Sequence, residues 1–308
     1  MSQSTPRPLL VIGARGQVGW ELRRTLAPLG TVVAWDQPDV DLTDGAALLQ
    51  AISQLRPGLI VNAAAYTAVD RAEEEEELAV RVNAMAPGIL AEQAAQLGIP
   101  LVHYSTDYVF DGGAGRPYTE EEPTAPLNVY GRTKLSGEDA VRDIGGAHLI
   151  LRTSWVYGAR GTNFLRTMLR LGAEREELRI VDDQIGAPTW ARMLAEVTAL
   201  VIGRLGHTSL DQWWDVSGTY HLTAAGETSW FGFTQAIVEL AAERGLLARR
   251  PAVLPIPSSE YPTPAPRPTY SVLDNSRFAQ TFGLRMPHWN ASLALVLDDI
   301  ADTLPAKR

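Results

Sequence analysis

Tyr130 and Lys134 stand four residues apart in Tyr130-Gly-Arg-Thr-Lys134. On a helix that spacing puts both side chains on one face. A tyrosine is a poor acid–base catalyst at its ordinary pKa of about 10. A neighbouring ammonium favours the phenolate and brings the hydroxyl towards working pH, and an oxidised nicotinamide ring would add a second positive charge. A solvent-exposed helix face carries the same spacing, so the pair needs partners. Ser105-Thr106-Asp107 is one, directly after the apolar run Pro100–Tyr104. A hydroxyl there can donate to a carbonyl oxygen as negative charge develops on it. An ST-turn or Asx-turn capping the loop is the alternative.

A second group could hold a dinucleotide. Gly13, Gly16 and Gly19 punctuate Gly13-Ala-Arg-Gly16-Gln-Val-Gly19, between an apolar run and a helical pattern. Glycines let the backbone turn tightly and approach a pyrophosphate, and a helix N-terminus presents free N–H groups to its charge. The spacing is GxxGxxG, and a glycine turn without a ligand is the alternative. Asp36 strengthens the case, because an acid at the end of the second strand accepts hydrogen bonds from an adenosine ribose. The same carboxylate repels the 2′-phosphate of NADP, which Arg15 in the loop partly offsets, so NADH is preferred and NADPH stays open. Asp41-Leu42 either lines the adenine pocket or is a plain loop. Asn62-Ala63-Ala64-Ala65 ends another strand with small residues that leave room for a flat ring. Asn83 falls inside a helical stretch, where asparagine is a poor former, and is expected to make a structural polar bond.

Elements that could position these residues follow from periodicity. Apolar runs at Leu9–Ile12, Thr31–Trp35, Leu59–Val61, Pro100–Tyr104 and His148–Leu151 alternate with helical patterns at Gln17–Leu29, Ala46–Leu55, Leu78–Leu97 and Tyr130–Ile144. That alternation predicts an α/β fold, a Rossmann-type doubly wound parallel sheet with ligands at the strand carboxyl ends. The Glu73–Glu77 run is expected to be a solvated helix start. The second half reads differently. Seven prolines crowd residues 251–268, which predicts an extended surface segment and not a central strand. Helices are expected at Thr189–Gly203, Trp230–Arg244 and Pro287–Leu304. We therefore expect a dinucleotide-binding domain over 1–158, with later returns, and a smaller α-rich substrate lobe over 159–308.

Composition limits the function classes. A chain of 308 residues without cysteine has no disulfide, thiolate zinc site, iron–sulfur cluster or cysteine nucleophile. A net charge of −9 argues against tracking nucleic-acid phosphates but not against a small anionic ligand. No run approaches the roughly 20 apolar residues of a membrane span, and LLVIGA is too short for a signal-peptide core, so the cytoplasm is the expected address.

Gly13-x-x-Gly16-x-x-Gly19, Asn62-Ala-Ala-Ala-Tyr-Thr-Ala-Val-Asp70, His103-Tyr-Ser-Thr-Asp-Tyr-Val-Phe110 and Pro126-Leu-Asn-Val-Tyr130-Gly-x-Thr-Lys134 resemble the extended short-chain dehydrogenase/reductases. Arg152-Thr-Ser-Trp-Val-Tyr157, Asp182-Asp-Gln-Ile-Gly-Ala-Pro-Thr189 and Tyr261-Pro-Thr-Pro-Ala-Pro-Arg-Pro268 narrow the resemblance to the dTDP-4-dehydrorhamnose reductase family, over about Leu9 to Trp289. The resemblance implies NAD(P)H reduction at C4 of dTDP-4-dehydro-β-L-rhamnose, giving dTDP-L-rhamnose for surface polysaccharide. It assigns Tyr130 as proton donor, Lys134 as holder of the nicotinamide ribose, and Thr106 as contact to the substrate oxygen. Asp107 and Trp155 would line the sugar pocket. Gly16, Gln17, Val18, Asp36, Asp41, Leu42, Ala65, Tyr66 and Thr67 would contact the dinucleotide. Arg267 would pair with the substrate's diphosphate or make a surface salt bridge, and Asn163, Phe164 and Gln184 would serve the nucleotide end.

Some members of that family are magnesium-dependent dimers bridged through glutamates. Glu21 suits that role, but Arg192 stands where a second acid is expected, and its charge would repel Mg2+. A monomer or weak homodimer is expected, with a nucleotide-sugar substrate and neither nucleic acid nor membrane as partner. The five histidines show no ligand spacing and are expected to be structural, as are Trp213, Trp214, Trp230 and Trp289. Two alternatives are a sister 4-keto-6-deoxysugar reductase of other substrate or stereochemistry, and a non-catalytic dinucleotide-binding regulatory subunit. The presence of Thr106, Tyr130 and Lys134 argues against the second.

Overall fold

The computed structural model describes residues 7–206 and 209–303. His207 and the Leu304 end of the last predicted helix lie outside them.

Short apolar runs become strands, and the amphipathic stretches between them become crossover helices. The first half runs β1 (Leu9–Ile12), α1 (Gln17–Thr25), β2 (Val32–Trp35), α2 (Gly45–Leu55), β3 (Leu59–Asn62), α3 (Val69–Ala72), α4 (Glu76–Val80), α5 (Ala86–Leu97), β4 (Leu101–Thr106), α6 (Val129–Ile144) and β5 (His148–Thr153). The second half runs β6 (Val156–Tyr157), α7 (Phe164–Glu174), β7 (Glu177–Val181), β8 (Ile185–Gly186), β9 (Thr189–Trp190), α8 (Ala191–Leu205), α9 (Asp211–Val216), β10 (Gly218–His221), β11 (Thr228–Ser229), α10 (Trp230–Glu243), β12 (Ala252–Ile256), α11 (Ser276–Phe282) and α12 (Trp289–Asp302).

Six parallel strands form the central sheet in the order β2-β1-β3-β4-β5-β10. The order reverses between β1 and β3, so a crevice opens there beyond the strand carboxyl ends. Alternation along β1 sends Leu9 and Val11 to one face, against Leu22 of α1, Leu26 just after it, and Leu194 of α8. Leu10 and Ile12 go to the other, against Leu48 and Ile52 of α2 and Leu90 of α5. Tyr157, Leu165, Phe233, Ile237, Trp289 and Leu293 build a separate core for the second lobe. Its chain nevertheless returns to the sheet, where β10 pairs with β5.

Several boundaries move for physical reasons. The predicted helix Gln17–Leu29 ends at Thr25, and a 3-10 turn containing Pro28 finishes the segment. The predicted helix Leu78–Leu97 starts at Glu76 and widens into a π-turn over Arg81–Met85. Pro87 has no N–H for the Asn83 carbonyl, its partner in a regular α-helix, and Ala86 N bonds instead to Arg81 O. In the Glu73–Glu77 run, Glu73 accepts the Val129 N–H (2.8 Å) and Glu75 the Tyr66 hydroxyl (2.5 Å), so two of these acids hold neighbouring segments. The proline-rich segment supplies β12, paired only with β7 in a two-stranded sheet. Among the described residues no helix is long and apolar enough to cross a membrane.

Candidate active site

The glycine loop follows β1 into α1. Gly13 has φ +81°, and a Cβ there would lie 2.6 Å from Ala64 N. A Cβ on Gly19 would collide with the Gly13 carbonyl. Only glycine allows this turn and this close seating of helix on strand. Gly16 is the N-cap of α1, which has no side-chain cap and no acid in its first turn, so its leading N–H groups stay free.

A cavity of about 330 Å³ opens beside the loop, lined by Gly13, Asp36, Asp41, Leu42, Ala65 and Tyr66 among others. Its volume and its backbone cradle fit the adenosine end of a dinucleotide. Asp36 accepts Arg15 N (2.7 Å) and Gln37 N (2.9 Å), one on each oxygen, and so ties the glycine loop to the end of β2. Each carboxylate oxygen keeps a further lone pair for a ribose hydroxyl. Hydrogen bonds from the Thr43 backbone and hydroxyl hold the Asp41 carboxyl below its usual range. Thr67 is exposed beside Tyr66, and Val18 packs into the core next to the loop. Gln17 points the other way: it donates to Val156 O (3.2 Å) and accepts from Asn163 (2.9 Å), joining the loop to the second lobe.

Asn128 caps α6 by accepting Gly131 N (2.8 Å), and its amide donates to Pro266 O (2.8 Å). Asn83 accepts Tyr66 N (2.8 Å) and donates to Tyr66 O (3.1 Å) and Thr133 Oγ1 (3.1 Å), clamping the cofactor-side loop to the same helix. Cβ atoms on Gly131 and Gly137 would collide with the Tyr108 and Asn83 carbonyls, so α6 lies close against both. Tyr130, Lys134 and Glu138 thus line up along one face of α6, towards β4.

Lys134 is 2% exposed, and its Nζ donates to Tyr104 O (2.7 Å) and lies 3.4 Å from His103 Nε2. Burial pulls its pKa down to about 8, with the Glu138 charge resisting. Burial pushes Tyr130 up to about 12; a hydrogen bond with Thr106 pulls it back and the Asp107 charge pushes it further. The strand β4 runs through Ser105 and ends at Thr106, and Asp107 opens the 3-10 turn that follows. Thr106 donates to Asp107 Oδ1 (3.0 Å) and accepts Tyr108 N (3.1 Å). Burial raises Asp107 to about 6, and its Oδ2 is buried with no partner. Glu138 accepts two hydrogen bonds from Arg152 (2.8 and 2.7 Å) and one each from Ser105 and Arg142, which anchors α6 to β4 and β5.

Trp155 takes φ +46°, lies against Gly186 where any Cβ would collide, and stacks on Trp230 at 3.5 Å between ring centres. Trp230 in turn contacts Phe164 (4.4 Å). A cleft of about 700 Å³ continues from there, lined by Phe164, Gln184, Trp230 and Tyr261, with Asp70 and Arg267 also on its wall. Arg267 grips Asp70 through two bonds of 3.0 Å. Asn163 caps α7 and is nine-tenths buried among Gln17, Gly158 O and Arg160 O. Glu21 lies outside this site, 3.4 Å from Arg192 Nε, and Arg192 also reaches Asp299 (2.6 Å).

Two participants escaped sequence reasoning. Trp230, expected as packing, forms part of the cleft wall. His103, expected as a structural histidine, is buried but touches Lys134. Strand alternation carried a signal for it: His103 and Ser105 share a face of β4, the one that meets α6.

The family model described as RmlD substrate binding domain matches residues 7–302. A dTDP-4-dehydrorhamnose reductase of Burkholderia thailandensis is 48% identical over 296 residues, covering 95% of this chain and 98% of that protein. The crystal structure of a dTDP-4-dehydrorhamnose reductase from Clostridium acetobutylicum superposes with a TM-score of 0.87 at 38% identity, covering 95% of this chain and 99% of that one. A Bacillus anthracis dTDP-4-dehydrorhamnose reductase solved in complex with NADP gives 0.86 at 36% identity, over 96% of this chain and 100% of that one. This chain belongs to the RmlD substrate binding domain family, the dTDP-4-dehydrorhamnose reductases of the extended short-chain dehydrogenase/reductase fold.

Proposed function

We propose that this protein reduces the C4 carbonyl of dTDP-4-dehydro-β-L-rhamnose to give dTDP-L-rhamnose, in the cytoplasm, for rhamnose-containing surface polysaccharide. The observation that carries the reading is the set of buried Thr106 and Lys134 with partly buried Tyr130, where β4 meets α6, in a fold that also holds a nucleoside-sized cavity and an aromatic-lined cleft. Residues 1–158 with β10 act as the dinucleotide unit, and most of the remainder as the sugar-nucleotide lobe.

Reduced nicotinamide dinucleotide, when bound, supplies the hydride that adds to C4. The glycine loop, the α1 N-terminus, Asp36, Asp41, Leu42 and the Ala65–Thr67 segment would hold it. NADH is preferred, because Asp36 meets a 2′-phosphate with like charge. Tyr130 holds the proton that the C4 oxygen takes. Its raised pKa keeps the hydroxyl protonated at neutral pH, and the Thr106 hydroxyl, turned from Asp107 Oδ1, donates to the same oxygen as charge builds there. Lys134 places a cation beside the phenolate that results. The unpartnered Asp107 Oδ2 is free to accept a sugar hydroxyl, and Trp155 with Trp230 offers an apolar surface to the deoxysugar. Arg267 faces the cleft that takes the nucleotide, where a diphosphate competes with Asp70 for its guanidinium. Arg192 occupies Glu21 as an ion pair, which supports function without a bridging Mg2+.

Deuterium transfer tests this directly. NADH labelled at the transferable position should deliver deuterium to C4 of the sugar, and proton couplings in the product should report the rhamno configuration. A product epimeric at C4 would assign the chain to a sister reductase.

A further inference from the structure

Tyr108 stands beside the reacting group without a task in the reduction. It sits in the 3-10 turn Asp107–Val109 that follows β4, and its N–H donates to Thr106 Oγ1 (3.1 Å). Its ring meets that of Tyr130 edge to face, with centres 5.5 Å apart and planes at 75°. The catalytic helix presses on its backbone, because a Cβ on Gly131 would lie 2.2 Å from Tyr108 O. The ring is therefore wedged between the end of β4 and the start of α6.

Its hydroxyl end reaches a different neighbour, the Arg267 guanidinium, whose charge it favours. Burial, with the Asp107 charge, raises the Tyr108 hydroxyl above its ordinary range while Arg267 pulls it back, so it is a phenol at neutral pH. A guanidinium carries only donors and cannot accept the phenol's proton. Among the described residues no other group accepts it. Arg267 spends N–H donors on both Asp70 oxygens and on Ala265 O and keeps others unspent. Two donor groups, one of them a cation, thus face one spot on the cleft side, and a phosphate oxygen can accept from both.

The segment that carries Arg267 is held on both sides. Pro266 O accepts from Asn128, the cap of α6 (2.8 Å), and Ala265 N donates to Asp70 (3.3 Å). Thr269 donates to Gly112 O (3.2 Å), where a Cβ on Gly112 would lie 2.7 Å from Pro268 Cβ. The spacing between Tyr108 and Arg267 is therefore built into the fold.

We infer that Tyr108 is a substrate-binding residue: its hydroxyl donates to an oxygen of the sugar-side phosphate, which Arg267 holds as well. The inference rests on the reading that Arg267 meets the diphosphate. Thr106, Asp107 and Tyr108 then read the substrate in order, from the C4 oxygen through a sugar hydroxyl to the phosphate. One rigid turn sets the distance from the anion to the reacting carbon, so binding energy from the phosphate holds C4 against Tyr130.

Tyr108→Phe removes the hydroxyl and keeps the ring on Tyr130. By calorimetry its Kd for dTDP should rise about tenfold, the usual value of a hydrogen bond to a charged group, with thymidine binding unchanged. Phosphorus-31 NMR of bound dTDP should show the β-phosphate resonance displaced between the two proteins and the α-phosphate resonance nearly still. Unchanged dTDP affinity overturns the inference. An equal loss for thymidine also overturns it and marks Tyr108 as merely structural, and displacement of the α resonance alone overturns the sugar-side contact. Neither measurement needs turnover. A tenfold loss of dTDP in Tyr108→Phe, beside an unaltered protein that reduces no keto sugar, would overturn the proposed reduction and leave the phosphate contact standing.

Discussion

Trp155 lies face to face with Trp230, with ring centres 3.5 Å apart and planes 3° from parallel. The left-handed backbone of Trp155 and the absent side chain of Gly186 set the first indole, and the start of α10 sets the second. With Phe164 they make one aromatic row that reaches the cleft lined by Phe164 and Trp230. Trp230→Ala should remove its middle. Steady-state kinetics should show KM for the sugar nucleotide rising about tenfold, the scale of one lost aromatic contact plus its buried area, with NADH affinity unchanged. An unchanged KM would place the sugar elsewhere.

Arg267 and Asp70 form a two-bond pair on the cleft wall. Arg267→Met should weaken dTDP binding, measured by calorimetry, by about tenfold or more, the usual value of a hydrogen bond to a charged group. Asp70→Asn should leave affinity equal or slightly higher, since the guanidinium is then less engaged. Loss of affinity in Asp70→Asn larger than in Arg267→Met would contradict this assignment.

Asp36 should set the cofactor ratio. Asp36→Ser removes the charge that meets a 2′-phosphate while Arg15 remains nearby. The ratio of kcat/KM for NADH over NADPH should fall by about tenfold or more. A ratio that does not move would mean that Asp36 serves only the loop through its bonds to Arg15 N and Gln37 N.

Glu138 and Arg152 are a buried ion pair, and Glu138 illustrates what it does to stability. Burial pushes its carboxyl up, but hydrogen bonds and charge from Arg152, with Ser105 and Arg142, bring it below its ordinary 4.5. A carboxyl whose folded pKa is depressed contributes stability above its unfolded pKa and loses it as pH falls through the folded value. Arg152→Met should therefore cost about 3–5 kcal/mol near neutral pH by urea unfolding, and the gap to the unaltered protein should narrow as pH drops below 4.5. A gap constant with pH would mean the loss is packing alone.

Much of this site was legible in residue type and spacing. The glycines at 13, 16 and 19, the acid at 36 and the Tyr130–Lys134 step follow local rules, and local rules survive folding. Asn83 was legible as a poor helix former with a polar task, but its clamp on Tyr66 and Thr133 needs the π-turn that Pro87 opens. His103 and Trp230 were not legible as site residues. Their roles depend on partners 31 and 75 positions away, Lys134 and Trp155, and only the sheet order and the return of the second lobe bring those together. Arg192 was legible as a cation out of place; its bond to Glu21 depends on α8 packing beside α1.

The central claim is that Tyr130 gives its proton to a keto sugar. The most direct measurement follows nicotinamide absorbance with NADH and dTDP-4-dehydrorhamnose, for the unaltered protein and for Tyr130→Phe, with NADH binding and unfolding checked on both. Sugar-dependent oxidation is expected from the first, and a fall of about 10²–10⁴-fold in the second with binding and fold retained. Full activity in Tyr130→Phe, or no sugar-dependent oxidation by a folded protein that binds NADH, would contradict it.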